Sequence, residues 1–141
     1  MFKMNFRVDY VDTDAMAVAH HASYFRWLER ARVDWMRSQG IVYSELEKNG
    51  LYLPLRTSTV EYVRSLKFDD EGEIALRCGD MGKTWFDLEY TIYCAGSVVT
   101  RAKTSHVLCK KLDKGDTAGV DQWKPVRIPE DWRLKWAQHR E

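Results

Sequence analysis

Tyr10-Val11-Asp12-Thr13-Asp14, the small apolar run Ala15 to Ala19, His20-His21-Ala22-Ser23-Tyr24 and then Phe25-Arg26-Trp27-Leu28-Glu29-Arg30-Ala31-Arg32 form the stretch on which the fold turns. A loop carrying two carboxylates runs directly into the strongest helical pattern of the chain. Tyr24, Trp27, Leu28, Ala31 and Trp35 recur at steps of three and four, while Arg26, Glu29, Arg30, Arg32, Asp34 and Arg37 fill the opposite side. The spacing predicts a helix over Ala22 to Gln39, with Gly40 as the left-handed residue that ends it. Such a helix is roughly 27 Å long, enough to span a small sheet.

On both sides of this helix the pattern changes to the two-residue period of strands. Met4, Phe6, Val8 and Tyr10 alternate with charged or amide neighbours over residues 3 to 10. A short helix is expected from Tyr43 to Asn49, closed by Gly50, followed by a strand over residues 52 to 66 with Pro54 near its start. Strands are then expected over 73 to 80, over 85 to 94 with Phe86, Leu88, Tyr90, Ile92 and Cys94 on one face, and over 98 to 110. Lys114 to Gly119 reads as a loop, and Pro129-Glu130-Asp131 opens a terminal helix carrying Trp132 and Trp136. One long helix with one-sided antiparallel strands is an α+β order, and the apolar face of the sheet requires that helix laid across it. One helix covers only one face, so the aromatic-rich chain is expected to be an obligate oligomer.

The 141 residues suit one domain over 1–141, with 121–141 a C-terminal tail. Twenty-two Lys and Arg against 21 Asp and Glu leave no field that would gather nucleic acid or an anionic membrane, so an anionic ligand has to be bound locally. No run of eighteen apolar residues occurs and Met1 to Arg7 lacks the order of a signal peptide, so a cytoplasmic protein without membrane insertion is expected. Cys78, Cys94 and Cys109 are odd in number and fall in expected strands, as reduced core thiols would.

The loop-to-helix junction is the candidate site. A helix start presents unpaired N–H groups and partial positive charge, which attract an anion or a carbonyl oxygen that becomes one. Asp14, just upstream, is placed to attack or to activate water, a combination suited to hydrolysis of an activated acyl compound. Asp12, Thr13 and Asp14 equally suit turn capping. Asp12, Asp14, His20 and His21 have the composition of a metal site, although a helical start is expected to point the two histidines apart. Ser105 and His106 adjoin on a strand and face opposite sides, which argues against a serine triad.

Val8-Asp9-Tyr10-Val11-Asp12-Thr13-Asp14-Ala15, His21-Ala22-Ser23-Tyr24 and Leu28-Glu29-Arg30-Ala31-Arg32 are followed by Thr59-Val60-Glu61-Tyr62, Leu66-Lys67-Phe68-Asp69-Asp70 and Glu73-Ile74. Together these strings, over roughly residues 4 to 110, resemble the acyl-CoA thioesterases of the hotdog fold. The branch is the 4-hydroxybenzoyl-CoA thioesterase-like one that includes the Tol-Pal-associated acyl-CoA thioesterases. The resemblance implies a curved antiparallel sheet wrapped around one long central helix. It assigns Asp14 as the catalytic carboxylate and His21 as the residue whose backbone N–H polarises the thioester carbonyl. Tyr24, Ser58, Lys83 and Thr84 are the implied substrate-binding residues, the last two toward the coenzyme A nucleotide. It further implies an acyl-CoA substrate, no metal or redox cofactor, and a homodimer or homotetramer with the site between subunits. Two positions depart from the family: Ala17 stands where Gly is usual, and His20 where an aromatic or apolar residue is common. The rival readings are an acyl-CoA or acyl-carrier-protein binding module without turnover, and an interaction protein using the Trp-rich tail. The preferred acyl group, and whether Asp14 is nucleophile or general base, stay open at this level.

Overall fold

The computed structural model describes residues 1–112 and 123–140. In chain order its elements are β1 (Phe2–Arg7), α1 (His21–Ser38), α2 (Tyr43–Lys48), β2 (Leu51–Tyr52), β3 (Leu55–Tyr62), β4 (Glu71–Met81), β5 (Trp85–Cys94), β6 (Ser97–Val107), β7 (Cys109–Lys111), β8 (Trp123–Pro125) and α3 (Glu130–Ala137). Five strands form an antiparallel sheet in the order β1-β4-β5-β6-β3, and β2, β7 and β8 form a small second one. The loop expected over Lys114 to Gly119 lies outside the described residues.

Alternation decides which side of the sheet is inside. Ile74, Leu76 and Cys78 on β4 and Phe86, Leu88, Tyr90 and Ile92 on β5 are buried beneath Trp27, Leu28, Ala31, Trp35 and Met36 of α1. Burying each such side chain contributes about 1.5–3 kcal/mol, so this one interface outweighs any single polar contact in the molecule. The opposite face carries charge pairs such as Lys3–Glu73 and Arg77–Glu89.

Helix α1 ends in a Schellman motif: Gly40, at φ +81, donates to Arg37 C=O and Ile41 donates to Met36 C=O, both at 2.9 Å. Lys135 Nζ caps the same end by donating to Gln39 C=O at 3.1 Å, tying the tail to the spine. Trp136 of α3 packs against Trp35 and Phe86 at ring distances of 5.3 and 4.6 Å. The terminal helix therefore closes one end of the core.

Three expected strands are shorter or broken. The strand over 52–66 divides at Pro54, which has no N–H for a ladder: β2 pairs with β7, whereas β3 pairs with β6. The strand over 98–110 divides at Leu108, whose N–H donates to Thr84 C=O at 2.8 Å. β1 stops at Arg7, and Tyr10 belongs to a 3-10 turn over Tyr10–Asp12 with its ring stacked on Phe68 at 3.7 Å. Cys78, Cys94 and Cys109 are free thiols, and burial pushes the Cys78 thiol up to about 11.

His106 is fully buried under Phe86 with Nε2 hydrogen-bonded to Thr104 Oγ1 at 2.9 Å. Burial, aided by the Arg32 charge, lowers its pKa from 6.5 to about 3. Between those values the unfolded chain binds a proton that the folded chain refuses, so stability falls on acidification through pH 6.5, by about 1.4 kcal/mol per pH unit. Urea unfolding should show a loss of about 2 kcal/mol from pH 6.5 to pH 5, and His106→Gln should flatten that slope. An unaltered slope in the variant would assign the pH dependence elsewhere.

Candidate active site

Residues 13 to 19 form a tight turn pinned at both ends. Thr13 pairs with Ala19, Asp14 N–H donates to Val18 C=O at 3.0 Å, and Ala19 N–H donates to Leu66 C=O at 2.7 Å. The turn requires a left-handed residue at position 17, where Ala17 takes φ +61 and donates to Asp14 C=O at 3.0 Å. The backbone thus keeps the shape that glycine would allow without strain, at a cost on the order of 1 kcal/mol.

Within this turn Asp14 Oδ1 accepts Met16 N–H at 2.8 Å. That bond orients the carboxylate and leaves Oδ2 without a partner among the described residues. Asp14 borders a cavity of about 320 Å³ whose wall also includes His21, Tyr24, Tyr62, Arg64 and Ser65.

The helix start is more occupied than its sequence suggests. His20 is the N-cap residue, and its Nδ1 accepts Ala22 N–H at 3.1 Å, which places the ring hydrogen on Nε2. Ser23 N–H donates to His20 C=O at 2.9 Å. Fewer N–H groups are therefore unpaired than a bare helix start would present: His20 consumes those of Ala22 and Ser23, one through its ring and one through its carbonyl. The His21 N–H, at the first helical position, has no acceptor among the described residues. The free donor and the free carboxylate oxygen belong to residues lining one cavity.

His20 and His21 do not point apart. Their rings stack at 4.2 Å with 27° between planes, because the extended backbone of His20 turns its ring back over the first helical turn. Among the described residues no group of three or more His, Cys, Asp or Glu is arranged to hold a metal ion. Ser105 and His106 are both buried on β6.

Tyr24 is buried at the cavity wall, with Tyr62 edge-on at 5.0 Å, and burial raises its phenol above the ordinary range. Ser58 is exposed on β3, four residues before Tyr62 and so roughly 13 Å along the strand. Lys83 and Thr84 lie in the β4–β5 turn at the far end of the sheet. Their carbonyls accept Ile128 N–H and Leu108 N–H. The loop carrying Asp14 is joined to Lys67, just before β4, by the Val18–Lys67 bridge. From Gly72 to Met81 the strand runs nine steps, roughly 30 Å. One chain brings Asp14, His21 and Tyr24 together, and leaves Ser58, Lys83 and Thr84 apart from them.

Tyr62, Arg64 and Ser65 were not legible as cavity residues. Nothing in the spacing of 62 to 65 marks them; they reach the site because Leu66 bonds to Ala19. Asp12 was legible as a capping residue or a candidate metal ligand, yet it is 1% exposed and paired with Arg26.

The family model described as "Thioesterase-like superfamily" matches residues 8–136. A protein named acyl-CoA thioesterase YbgC from Haemophilus influenzae is 36% identical over 131 residues, covering 92% of this chain and 90% of its own. The crystal structure of a hypothetical protein from Aquifex aeolicus superposes with TM-score 0.83 at 29% identity, covering 96% of this chain and 99% of that one. A 4-hydroxybenzoyl-CoA thioesterase complexed with 4-hydroxybenzoyl-CoA shares the fold at TM-score 0.84 and 16% identity, over 96% and 97% of the two chains.

Proposed function

The chain belongs to the thioesterase-like superfamily, and from that premise we propose that it hydrolyses an acyl-CoA thioester to a free acid and coenzyme A, with Asp14 and the His21 N–H as its catalytic groups. The observation that carries this reading is the shared cavity: an oriented carboxylate with one free oxygen and an unused helix-start donor line the same space.

Two routes use these groups. Asp14 Oδ2 attacks the thioester carbonyl, coenzyme A leaves as the thiolate, and water hydrolyses the resulting anhydride; or Oδ2 takes a proton from a water that attacks directly. In both, negative charge grows on the carbonyl oxygen, where the His21 N–H and the helix dipole stabilise it. Tyr24, kept protonated by burial, forms wall rather than base.

The reading includes a second copy of the chain. β3 is an edge strand exposed along nearly its whole length, with Tyr62 near the Asp14 cavity at one end and Leu55 at the other. Antiparallel pairing of two β3 strands about their middle would set the Leu55 end of one copy beside the Tyr62 end of the other. The partner's Lys83 turn then lies on the side of the Asp14 cavity, and Ser58 near the axis. Coenzyme A enters as part of the substrate. Free thiols at Cys78, Cys94 and Cys109 support a cytoplasmic setting, and no helix among the described residues is long and apolar enough to cross a membrane.

The test is thiol release from a panel of short aliphatic, long-chain and aromatic acyl-CoA thioesters, with light scattering on the same sample. Turnover of at least one class by a species no smaller than a dimer is expected. Saturable binding without thiol release would replace the enzyme with a binding module, and full activity in a monomer would remove the shared site.

A further inference from the structure

Asp12 is a carboxylate in a surface loop, yet it is 1% exposed. Its Oδ2 and backbone groups are hydrogen-bonded, and the buried Oδ1, which makes no hydrogen bond, is met by the charge of Arg26. Oδ2 accepts Asp9 N–H at 2.8 Å, the carboxylate pairs with the guanidinium of Arg26 on α1, and the backbone C=O accepts both His20 N–H at 2.6 Å and Ser23 Oγ–H at 3.0 Å. Asp14 begins two residues later, and His21 follows His20 directly. Asp12 thus joins, in one residue, the start of the Asp14 turn and the start of the helix that carries the His21 N–H. A capping carboxylate needs none of this: a solvated Asp at the same turn would satisfy Asp9 N–H alone.

We propose that Asp12, held by Arg26, is the positioning residue of this site: it sets the distance and orientation between the Asp14 carboxylate and the His21 N–H, and touches no substrate itself. The proposal rests on the catalytic reading above for its consequence on rate, though not for its consequence on structure. Arg26 reaches the pair from the second turn of α1, with its own side chain half exposed, so the tie spans loop and helix rather than closing within either. Removing the charge from Asp12 loosens the carbonyl that receives His20 N–H. The helix start can then move relative to Asp14, and a shift of about 1 Å between reacting groups is enough to cost up to about a hundredfold.

The experiment compares Asp12→Asn, Arg26→Gln and the double variant, each in the wild-type and the Asp14→Asn backgrounds, on the best thioester of the panel. Asp12→Asn and Arg26→Gln should each lower kcat about tenfold with KM changed less than twofold, and the double variant should lose no more than the worse single one, because both break one tie. In the Asp14→Asn background neither should lower the residual rate further. Arg26→Lys, which keeps the charge, should recover most of the loss. Because Asp12 is buried, amide hydrogen exchange at His20 and Ser23 is followed in the same proteins, and the half-exposed Arg26 provides the variant least disruptive to folding. Exchange at His20 should quicken at least about tenfold in Arg26→Gln while the sheet stays protected.

A raised KM with unchanged kcat would make Asp12 or Arg26 a substrate contact and overturn the proposal, as would additive losses or unaltered exchange at His20. Failure of the catalytic reading looks different: Asp14→Asn would keep its rate, while quickened His20 exchange would still report the tie.

Discussion

Asp14→Asn lowers kcat for the best thioester by at least about a hundredfold, the lower range for loss of a positioned acid–base group, and leaves the fold intact. The substitution is nearly isosteric. The amide oxygen still accepts Met16 N–H, the bond that Asp14 Oδ1 makes at 2.8 Å, so the turn over residues 13 to 19 keeps its shape. What changes is the other atom: an NH₂ in place of the free Oδ2 neither attacks a carbonyl nor takes a proton from water. Steady-state kinetics with thermal unfolding on the same preparation check this. Near-normal turnover by Asp14→Asn would remove Asp14 from the chemistry, whichever of the two routes is followed.

His21→Pro should fold like wild type and lose about 3 kcal/mol of transition-state stabilisation, roughly 150-fold in rate, while His21→Ala loses much less. Proline is suited to the first helical position, because its missing N–H is one the helix does not use. It also restricts the residue before it to extended backbone, and His20 already sits at φ −67, ψ 141. Relative to His21→Ala, the variant therefore deletes one donor and little else. His21→Ala keeps that donor and removes the imidazole stacked on His20. Equal rates for the two variants in folded protein would dismiss the helix-start oxyanion site, and a large loss in His21→Ala would bring the imidazole into the mechanism.

The two experiments bear on parts of the molecule that were unequally visible in the chain. The helix was legible because Tyr24, Trp27, Leu28, Ala31 and Trp35 repeat at helical spacing, and all five are buried. The strands over β4 and β5 were legible because their apolar residues alternate, and their limits were off by at most two residues. These periodicities are local, so a local reading recovers them. Leu108 broke an expected strand for a reason outside its neighbourhood, because its N–H is taken by Thr84 C=O from the β4–β5 turn, whereas Pro54 broke one through its own missing N–H.

Asp14 and the helix start were singled out because a carboxylate just before a helix is a pattern of neighbours. The family resemblance also flagged Ala17 as standing where glycine is usual, and the folded backbone there is left-handed, at φ +61. Sequence could not show that His20 caps Ala22 with its ring, that Asp12 is buried against Arg26, or that Tyr62, Arg64 and Ser65 complete the cavity. Each depends on where a side chain points once 66–67 has been drawn against the loop by Ala19 and Val18. Backbone periodicity is written in nearest neighbours along the chain, whereas the partner of a polar atom is whichever group tertiary packing brings within hydrogen-bond reach, and only the folded chain makes that choice.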